Sequence, residues 1–173
     1  MQEIYIENLK KVLGNKNKLE KELDIKIKNK GKLVLVEGLT EKEFIAIKIL
    51  EAIDLNFSID DALKLKKEEI IMQILNIKKI TKRHDLERIR ARIIGTHGKT
   101  LKTLTDLTKC SISLKDNKIG IIGDCEEIED AIQAVKSLIQ GSKQGNVYAR
   151  AEKQRKRKKL RKDEPIKNEL KNK

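Results

Sequence analysis

Flat rings are almost missing from this chain: it has no tryptophan and only two phenylalanines and two tyrosines in 173 residues. A protein so poor in aromatics cannot build the broad stacking platforms with which RRM and OB folds hold bases. Cysteine and histidine are equally scarce. Cys110 and Cys125 with His84 and His97 form no tight Cys-x-x-Cys or His-x-x-x-His pair, so no metal centre is expected and the thiols read as reduced, in a cytoplasmic protein. No apolar run approaches the ~20 residues of a membrane span, and the N-terminus lacks a signal-peptide pattern, so no membrane partner is expected. The acids are scattered along helix faces opposite lysines, not clustered as a nuclease metal site requires, and no Gly-rich nucleotide fingerprint follows a strand. The chain therefore reads as a non-enzyme that needs no cofactor.

Positive charge is what the chain has in excess. Its formal net charge is +13. Residues 142–173 hold 13 Lys and Arg against 4 Asp and Glu, which places +9 of that total in the tail. Nine of the 13 residues from Arg150 to Lys162 are basic: Arg150, Lys153, Arg155, Lys156, Arg157, Lys158, Lys159, Arg161 and Lys162. Such a run suits RNA or another acidic surface. Like charges this dense repel, so the tail is expected to be a frayed helix or disordered until a polyanion neutralises it, with Pro165 ending any helix.

The most informative stretch is Ile93-Ile94-Gly95-Thr96-His97-Gly98-Lys99-Thr100-Leu101. Leu86, Ile89 and Ile93 before it, and Leu101, Leu104 and Thr108 after it, repeat at helical spacing. A four-residue turn between two helices needs the backbone freedom of glycine, and bare glycines let another backbone come close. With Lys99 beyond them, they make a clamp for a phosphate backbone. Two alternating runs follow, Cys110–Leu114 and Lys118–Ile122, with Asp116-Asn117 as turn chemistry between them, so an antiparallel pair is expected. Gly123-Asp124 should stop the second strand. A last helix should carry Ile128, Ala131, Ile132, Val135, Leu138 and Ile139 and end near Gly141. Glu69–Ile77, apolar and rich in β-branched residues, reads as a strand ahead of the whole set, with a helix as the alternative.

The first half follows the same plan, an internal repeat. Glu3–Glu7 alternates as a strand, and Val12-Leu13-Gly14 aligns with Ile93-Ile94-Gly95, with Asn17 where the second glycine should stand. A short helix over Lys18–Leu23, strands over Ile25–Lys28 and Leu33–Val36, and a helix capped by Thr40 with Glu43 in a capping box complete the copy. Ser58 should cap a short connector helix. No Gly-, Ser- or Pro-rich linker separates the copies, so they should pack together. The first copy has lost its clamp and reads as structural or protein-binding, against the alternative of weak RNA contact from Lys10, Lys11, Lys16 and Lys18.

The order strand, helix, Gly-loop, helix, strand, strand, helix, with its Ile-Gly-x-x-Gly-Lys core, resembles a type I KH domain. That family would place glycine after Thr108, where this chain has Lys109. The eroded first loop, the connector Phe57–Leu65, the intact second loop and the ending Gly145-Asn146-Val147-Tyr148 before a basic tail together resemble the partner-of-Nob-one family of small-subunit ribosome-assembly factors. The compact length is similar to that of its archaeal members. The resemblance implies an α+β fold of two tandem type I KH domains (βααββα): a degenerate one with connector helix over 1–66, an intact one over 67–148, and a basic tail over 149–173, helical or disordered. It implies binding of single-stranded small-subunit ribosomal RNA near the 3′ end, without catalysis. The implied RNA-facing positions are Arg90, Arg92, Ile94, Gly95, Thr96, His97, Gly98, Lys99 and Lys102, with Ile112 in the floor of a groove for about four unpaired nucleotides. The basic tail would add phosphate contacts. The resemblance also implies a protein partner, the Nob-one-type 3′-end endonuclease, met through the first KH unit or the packed pair. The competing readings are a protein-binding scaffold and another KH factor, exosome- or transcription-associated.

Overall fold

The structure is a computed structural model and describes residues 1–163. The first half runs β1 (Gln2–Tyr5), α1 (Leu9–Gly14), α2 (Lys16–Leu23), β2 (Lys26–Lys30), β3 (Leu33–Glu37) and α3 (Thr40–Asp54). A connector holds α4 (Ile59–Leu63) and a 3-10 turn at Lys64–Lys66. The second half repeats the plan: β4 (Ile70–Asn76), a short α5 (Ile77–Ile80), α6 (Leu86–Ile94), α7 (Lys99–Thr108), β5 (Ser111–Lys115), β6 (Lys118–Asp124) and α8 (Ile128–Ile139). A ninth helix, α9, spans Gln144–Asp163. The sheets are ordered β1-β3-β2 and β4-β6-β5, all antiparallel, so each copy closes its third strand between the other two. This is the tandem α+β KH architecture that the repeat predicts.

Most elements lie where the alternation and spacing place them, and the departures have physical reasons. Asp116 takes a left-handed φ of 53° in the β5–β6 turn, as a tight hairpin demands. The strand expected to stop at Gly123-Asp124 runs through Asp124, because Gly123 lies under Cys110: a Cβ there would come within 2.4 Å of the Cys110 sulfur. Thr40 caps nothing. It is the first residue of α3 and no capping box forms; Glu43 Oε1 instead accepts from the Gly38 N–H, ahead of the N-cap Leu39, at 3.0 Å. Ser58 does cap α4, its hydroxyl accepting from Asp61 N–H at 3.1 Å. Lys109 keeps the left-handed conformation of a glycine (φ 57°, ψ 18°) despite its side chain.

Each copy has its own core. The first is built around Ile6, Leu19, Val34, Val36, Ile49 and Leu50, the second around Ile89, Ile93, Leu104, Ile119, Ile121 and Val135. The second sheet's other face is covered by the connector, and Ile122 belongs to the first core. Gly120 on β6 makes this possible, since a Cβ there would sit 2.5 Å from the Phe57 ring. Ser113 Oγ donates to the Leu55 carbonyl at 2.8 Å, and Ser111 Oγ to Asp61 at 2.8 Å. Asp54 accepts from the backbone N–H groups of Glu7 and Asn8, each at 2.9 Å, and pairs with Lys115 at 3.1 Å, while Lys115 reaches Glu7 at 2.8 Å. Burial works to lower the Lys115 pKa, but its bonds to Glu7 and Asp54 outweigh this and hold it above the usual lysine value. The copies are therefore locked by a buried ring and a shared ion-pair node, as the missing linker predicts.

The glycines provide a test. Gly120→Ala forces the Phe57 ring to move and should destabilise by about 1–3 kcal/mol, read as a lower melting temperature. Gly14→Ala meets nothing within 4 Å at the end of a helix and should stabilise by about 0.5 kcal/mol. A Gly120→Ala protein that melts like the parent would dismiss the ring contact as a clamp. The thiols give a second test. Burial pushes the Cys110 thiol up to about 11, whereas Cys125 is exposed. At pH 8 a thiol reagent should therefore modify one cysteine in the native protein and two in denaturant.

Candidate nucleic-acid interface

The loop between α6 and α7 has the backbone its sequence demands. Gly95 adopts φ 74°, ψ 176° and Gly98 φ 73°, ψ 12°, both in the region that favours glycine. Gly95 is doubly required, because a Cβ there would lie 2.1 Å from the Thr100 hydroxyl. Between them His97 takes a left-handed φ of 51°, tolerated by a short polar-ringed side chain at some cost in strain. Gly95 N–H donates to Ala91 O at 2.8 Å and Gly98 N–H to Gly95 O at 3.2 Å, so the turn is internally bonded. Thr96 and His97 form an exposed tip, with Lys99 and Lys102 exposed on the first turn of α7. Ile94 leaves 39% of its side chain in solvent beside them. An apolar side chain, a tight glycine turn and two exposed lysines on one edge can receive a phosphate backbone and rest a base against Ile94.

Three expected positions sit differently. Ile112 is 8% exposed and belongs to the second core, so it backs the groove without offering surface of its own. The Arg90 guanidinium is half-buried and donates to Asn117 Oδ1 at 2.8 Å. The Arg92 guanidinium donates to the Ser142 carbonyl in the α8–α9 corner. Both arginines thus have intramolecular partners before any ligand arrives, which sequence spacing could not reveal. Two residues that sequence reasoning missed close the site from behind: Thr100, 4% exposed, and Gln144, whose amide nitrogen donates to Thr100 Oγ1 at 3.0 Å and to Arg92 O at 3.2 Å.

The corresponding stretch of the first copy is not a clamp. Asn15 alone separates α1 from α2, with φ −119°, and neither Gly14 nor Asn17 takes a positive φ. Asn17 lies inside α2, so the second helix starts two residues earlier than expected and closes the loop instead of opening it. Asn15 Nδ2 donates to the Lys11 carbonyl at 2.9 Å, and Lys16 lies 3.8 Å from Glu20.

Of the two states expected for the basic tail, helical or disordered, the described residues take the helical one: residues to Asp163 form α9, which starts at Gln144 and packs on α7 and α8. Val147 and Ala151 are buried and Gln154 and Lys158 half-buried, a stripe spaced four, three and four residues apart that faces the second KH unit. Lys158 anchors the far end, 2.5 Å from Asp130 and 3.3 Å from Glu127, and also donates to Glu126 O at 2.6 Å. Burial acts to lower the Lys158 pKa, but these acids outweigh it and raise it. Lys162 lies within 4 Å of Glu126 and Glu127, and Lys156 pairs with Glu152 at 3.1 Å. Apolar burial and these pairs offset the repulsion that composition alone suggested. Arg150, Lys153, Arg155, Arg157, Lys159 and Arg161 stay exposed and make no ion pair among the described residues. Pro165 lies outside the described residues.

No helix among the described residues is long and apolar enough to cross a membrane. Residues 71–156 match the family model for the second KH domain of PNO1, described as a eukaryotic-type KH domain (KH-domain type I). The chain is 28% identical over 150 residues to a KH domain-containing protein of Methanocaldococcus jannaschii, an alignment that covers 82% of this chain and 66% of that one. It is 38% identical over 103 residues to the pre-rRNA-processing protein PNO1 of Candida albicans, covering 57% of this chain and 37% of that one. The chain thus spans under two thirds of these relatives' lengths. Dim2p from Pyrococcus horikoshii OT3 has a similar solved structure, with TM-score 0.78, 28% identity and coverage of 88% and 99%. A chain in the a/eIF2alpha–aDim2p–rRNA complex of the same organism superposes with TM-score 0.80 at 28% identity, covering 90% and 94%.

Charge on the free face of α9 can be removed without touching its packed stripe. Replacing Arg150, Lys153, Arg157 and Arg161 by Gln should leave the melting temperature nearly unchanged. It should weaken binding to any single-stranded RNA and flatten the plot of log affinity against log salt by about 0.7 for each phosphate that is no longer neutralised. An unchanged slope would show that α9 does not touch the phosphates.

Proposed function

The chain belongs to the PNO1 family of KH-domain proteins, and from that premise we propose that it is an RNA-binding assembly factor of the small ribosomal subunit. It holds unpaired ribosomal RNA near the 3′ end in its second KH unit. The observation that carries this reading is the Gly95–Gly98 turn: two glycines at positive φ, an exposed two-residue tip, and Lys99, Lys102 and Ile94 on the same edge. Such a turn admits the sugar-phosphate backbone closely while about four bases lie along the adjoining groove. The rRNA in the aDim2p complex and the pre-rRNA-processing role named for PNO1 relatives support the same reading.

In this reading Gly95, Thr96, His97 and Gly98 meet the backbone, Lys99 and Lys102 neutralise it, and Ile94 touches a base. Arg90 and Arg92 shape the site through the partners they already hold, and Ile112 supports it from the core. The exposed cations of α9 extend the positive surface. The first KH unit serves as a rigid support and as the face for a protein partner, for which the Nob-one-type endonuclease is the candidate. A protein-only scaffold is distinguished by salt, since release of counterions gives a steep dependence that an apolar protein contact lacks.

Two loop variants test the assignment. Thr96→Asp with His97→Asp sets two carboxylates against the RNA phosphates and should cost on the order of 2 kcal/mol or more in binding to a short unpaired RNA. Asn15→Asp with Lys16→Asp removes more positive charge, yet should cost well under ~1 kcal/mol, because a closed helical junction offers no clamp. Fluorescence anisotropy reads both, with circular dichroism melts as the folding control. Equal losses would make the first copy a working RNA site, and no loss from the Thr96/His97 pair would defeat the reading.

A further inference from the structure

The corner between α8 and α9 lies against both ends of the Gly95–Gly98 turn. Gln144 opens α9, and its side-chain amide carries two N–H groups. One donates to Arg92 O at 3.2 Å, among the last carbonyls of α6, which that helix leaves without a donor of its own. The other donates at 3.0 Å to Thr100 Oγ1, on the first turn of α7. Thr100 is 4% exposed, and its hydroxyl fills the space that a Cβ on Gly95 would need. The Arg92 guanidinium reciprocates by donating to the Ser142 carbonyl. The base of this strap is firm, because α9 is fixed further along by Val147, Ala151 and Lys158.

We propose that Gln144 is a positioning residue for RNA binding: it clasps α6 to α7 and so holds the glycine turn in the shape that admits a phosphate backbone. This rests on the RNA-binding reading above, and it adds a residue outside the Gly-x-x-Gly motif. The geometry explains why a glycine-rich turn, which has the most backbone freedom to lose, is held ready for ligand. A flanking clasp confers this without standing in the path of the RNA. The amide acts through Arg92 O and Thr100 Oγ1, so its removal lowers the fraction of molecules whose turn is competent. Apparent affinity falls by that fraction. Where competent turns are selected before binding, the loss appears in the association rate and leaves dissociation untouched.

The test uses the full chain with Gln144→Ala, the near-isosteric Gln144→Glu, and Thr100→Val. Two readouts are needed: amide hydrogen exchange of Gly95 and Gly98 without RNA, and association and dissociation rates on a short unpaired RNA. Gln144→Ala should speed exchange of both amides about five- to tenfold and slow association by a similar factor. Dissociation should stay within about twofold, and the slope of log affinity against log salt should not move, since every phosphate-neutralising cation is still present. Gln144→Glu should behave alike, because a carboxylate facing the Arg92 carbonyl cannot donate. Adding Thr100→Val to Gln144→Ala should cost less than the two changes cost separately, as expected for two directly bonded partners. Unchanged exchange at Gly95 and Gly98 overturns the proposal, as does a loss confined to dissociation, which would make Gln144 a residue that touches RNA. Exchange is read without RNA, so a parent protein that binds no RNA defeats the RNA-binding reading while the exchange result still decides the clasp.

Discussion

The packing of the Phe57 ring on the bare backbone at Gly120 governs how this molecule is put together. A three-stranded sheet has two faces, and each KH copy covers only one with its own helices. In the second copy the other face is closed by the connector, which lays Phe57 and Leu55 over Gly120 and buries Ile122 in the neighbouring core. The ring fits only because β6 has no side chain there. Around it the polar groups are matched, with Ser113 on the Leu55 carbonyl and Lys115 between Asp54 and Glu7. Asp54 has a further duty, since its other oxygen accepts the two N–H groups at the entry to α1. A carboxylate with that many partners ties the end of the first strand, the third helix and the second sheet to one point.

Much of this was legible in the sequence because it depends on local periodicity. Alternation placed β5 and β6, a run of β-branched residues placed β4, the spacing of Ile89, Ile93 and Leu104 placed α6 and α7, and the two glycines marked the turn between them. What escaped depends on pairings between residues far apart in the chain. Composition made the basic tail look self-repelling, and nothing local announces that Val147, Ala151 and Lys158 form a stripe facing acids on α8. Likewise nothing local pairs Arg92 with Gln144 until folding brings them together from 52 positions apart. The strand that runs on through Gly123 fails a local rule for the same reason: the glycine is there to admit Cys110, not to break the strand.

The difference between the two copies follows from where glycine is needed. In the second, Gly95 faces a hydroxyl that leaves no room for a Cβ, and both glycines hold positive φ, so the open turn exists only with those residues. In the first, Gly14 has empty space around it and an ordinary helical backbone, and Asn17 has been drawn into α2. Once the chain there can stay helical, extending α2 toward the junction gains hydrogen bonds that an open turn forgoes. A closed helical junction in the first copy and an open glycine turn in the second thus follow from where a side chain can be accommodated.

The ninth helix must reconcile two demands on its charge. A helix with so many cations gains from acids at its inner face and from cations near its C-terminal end, where the helix dipole is negative. The stripe supplies the first, with Lys158 held by Asp130 and Glu127, and Arg161 and Lys162 in the last turn supply the second. What remains is an outward row from Arg150 to Arg161 that no described acid neutralises, on a helix whose first residue clasps the glycine turn. At 1.5 Å per residue the exposed cations from Arg150 to Arg161 span about 17 Å of α9, beginning about 9 Å along the helix from Gln144. Stability requires the inner face to be neutralised, and that leaves the uncompensated charge on the side where a polyanion can reach it.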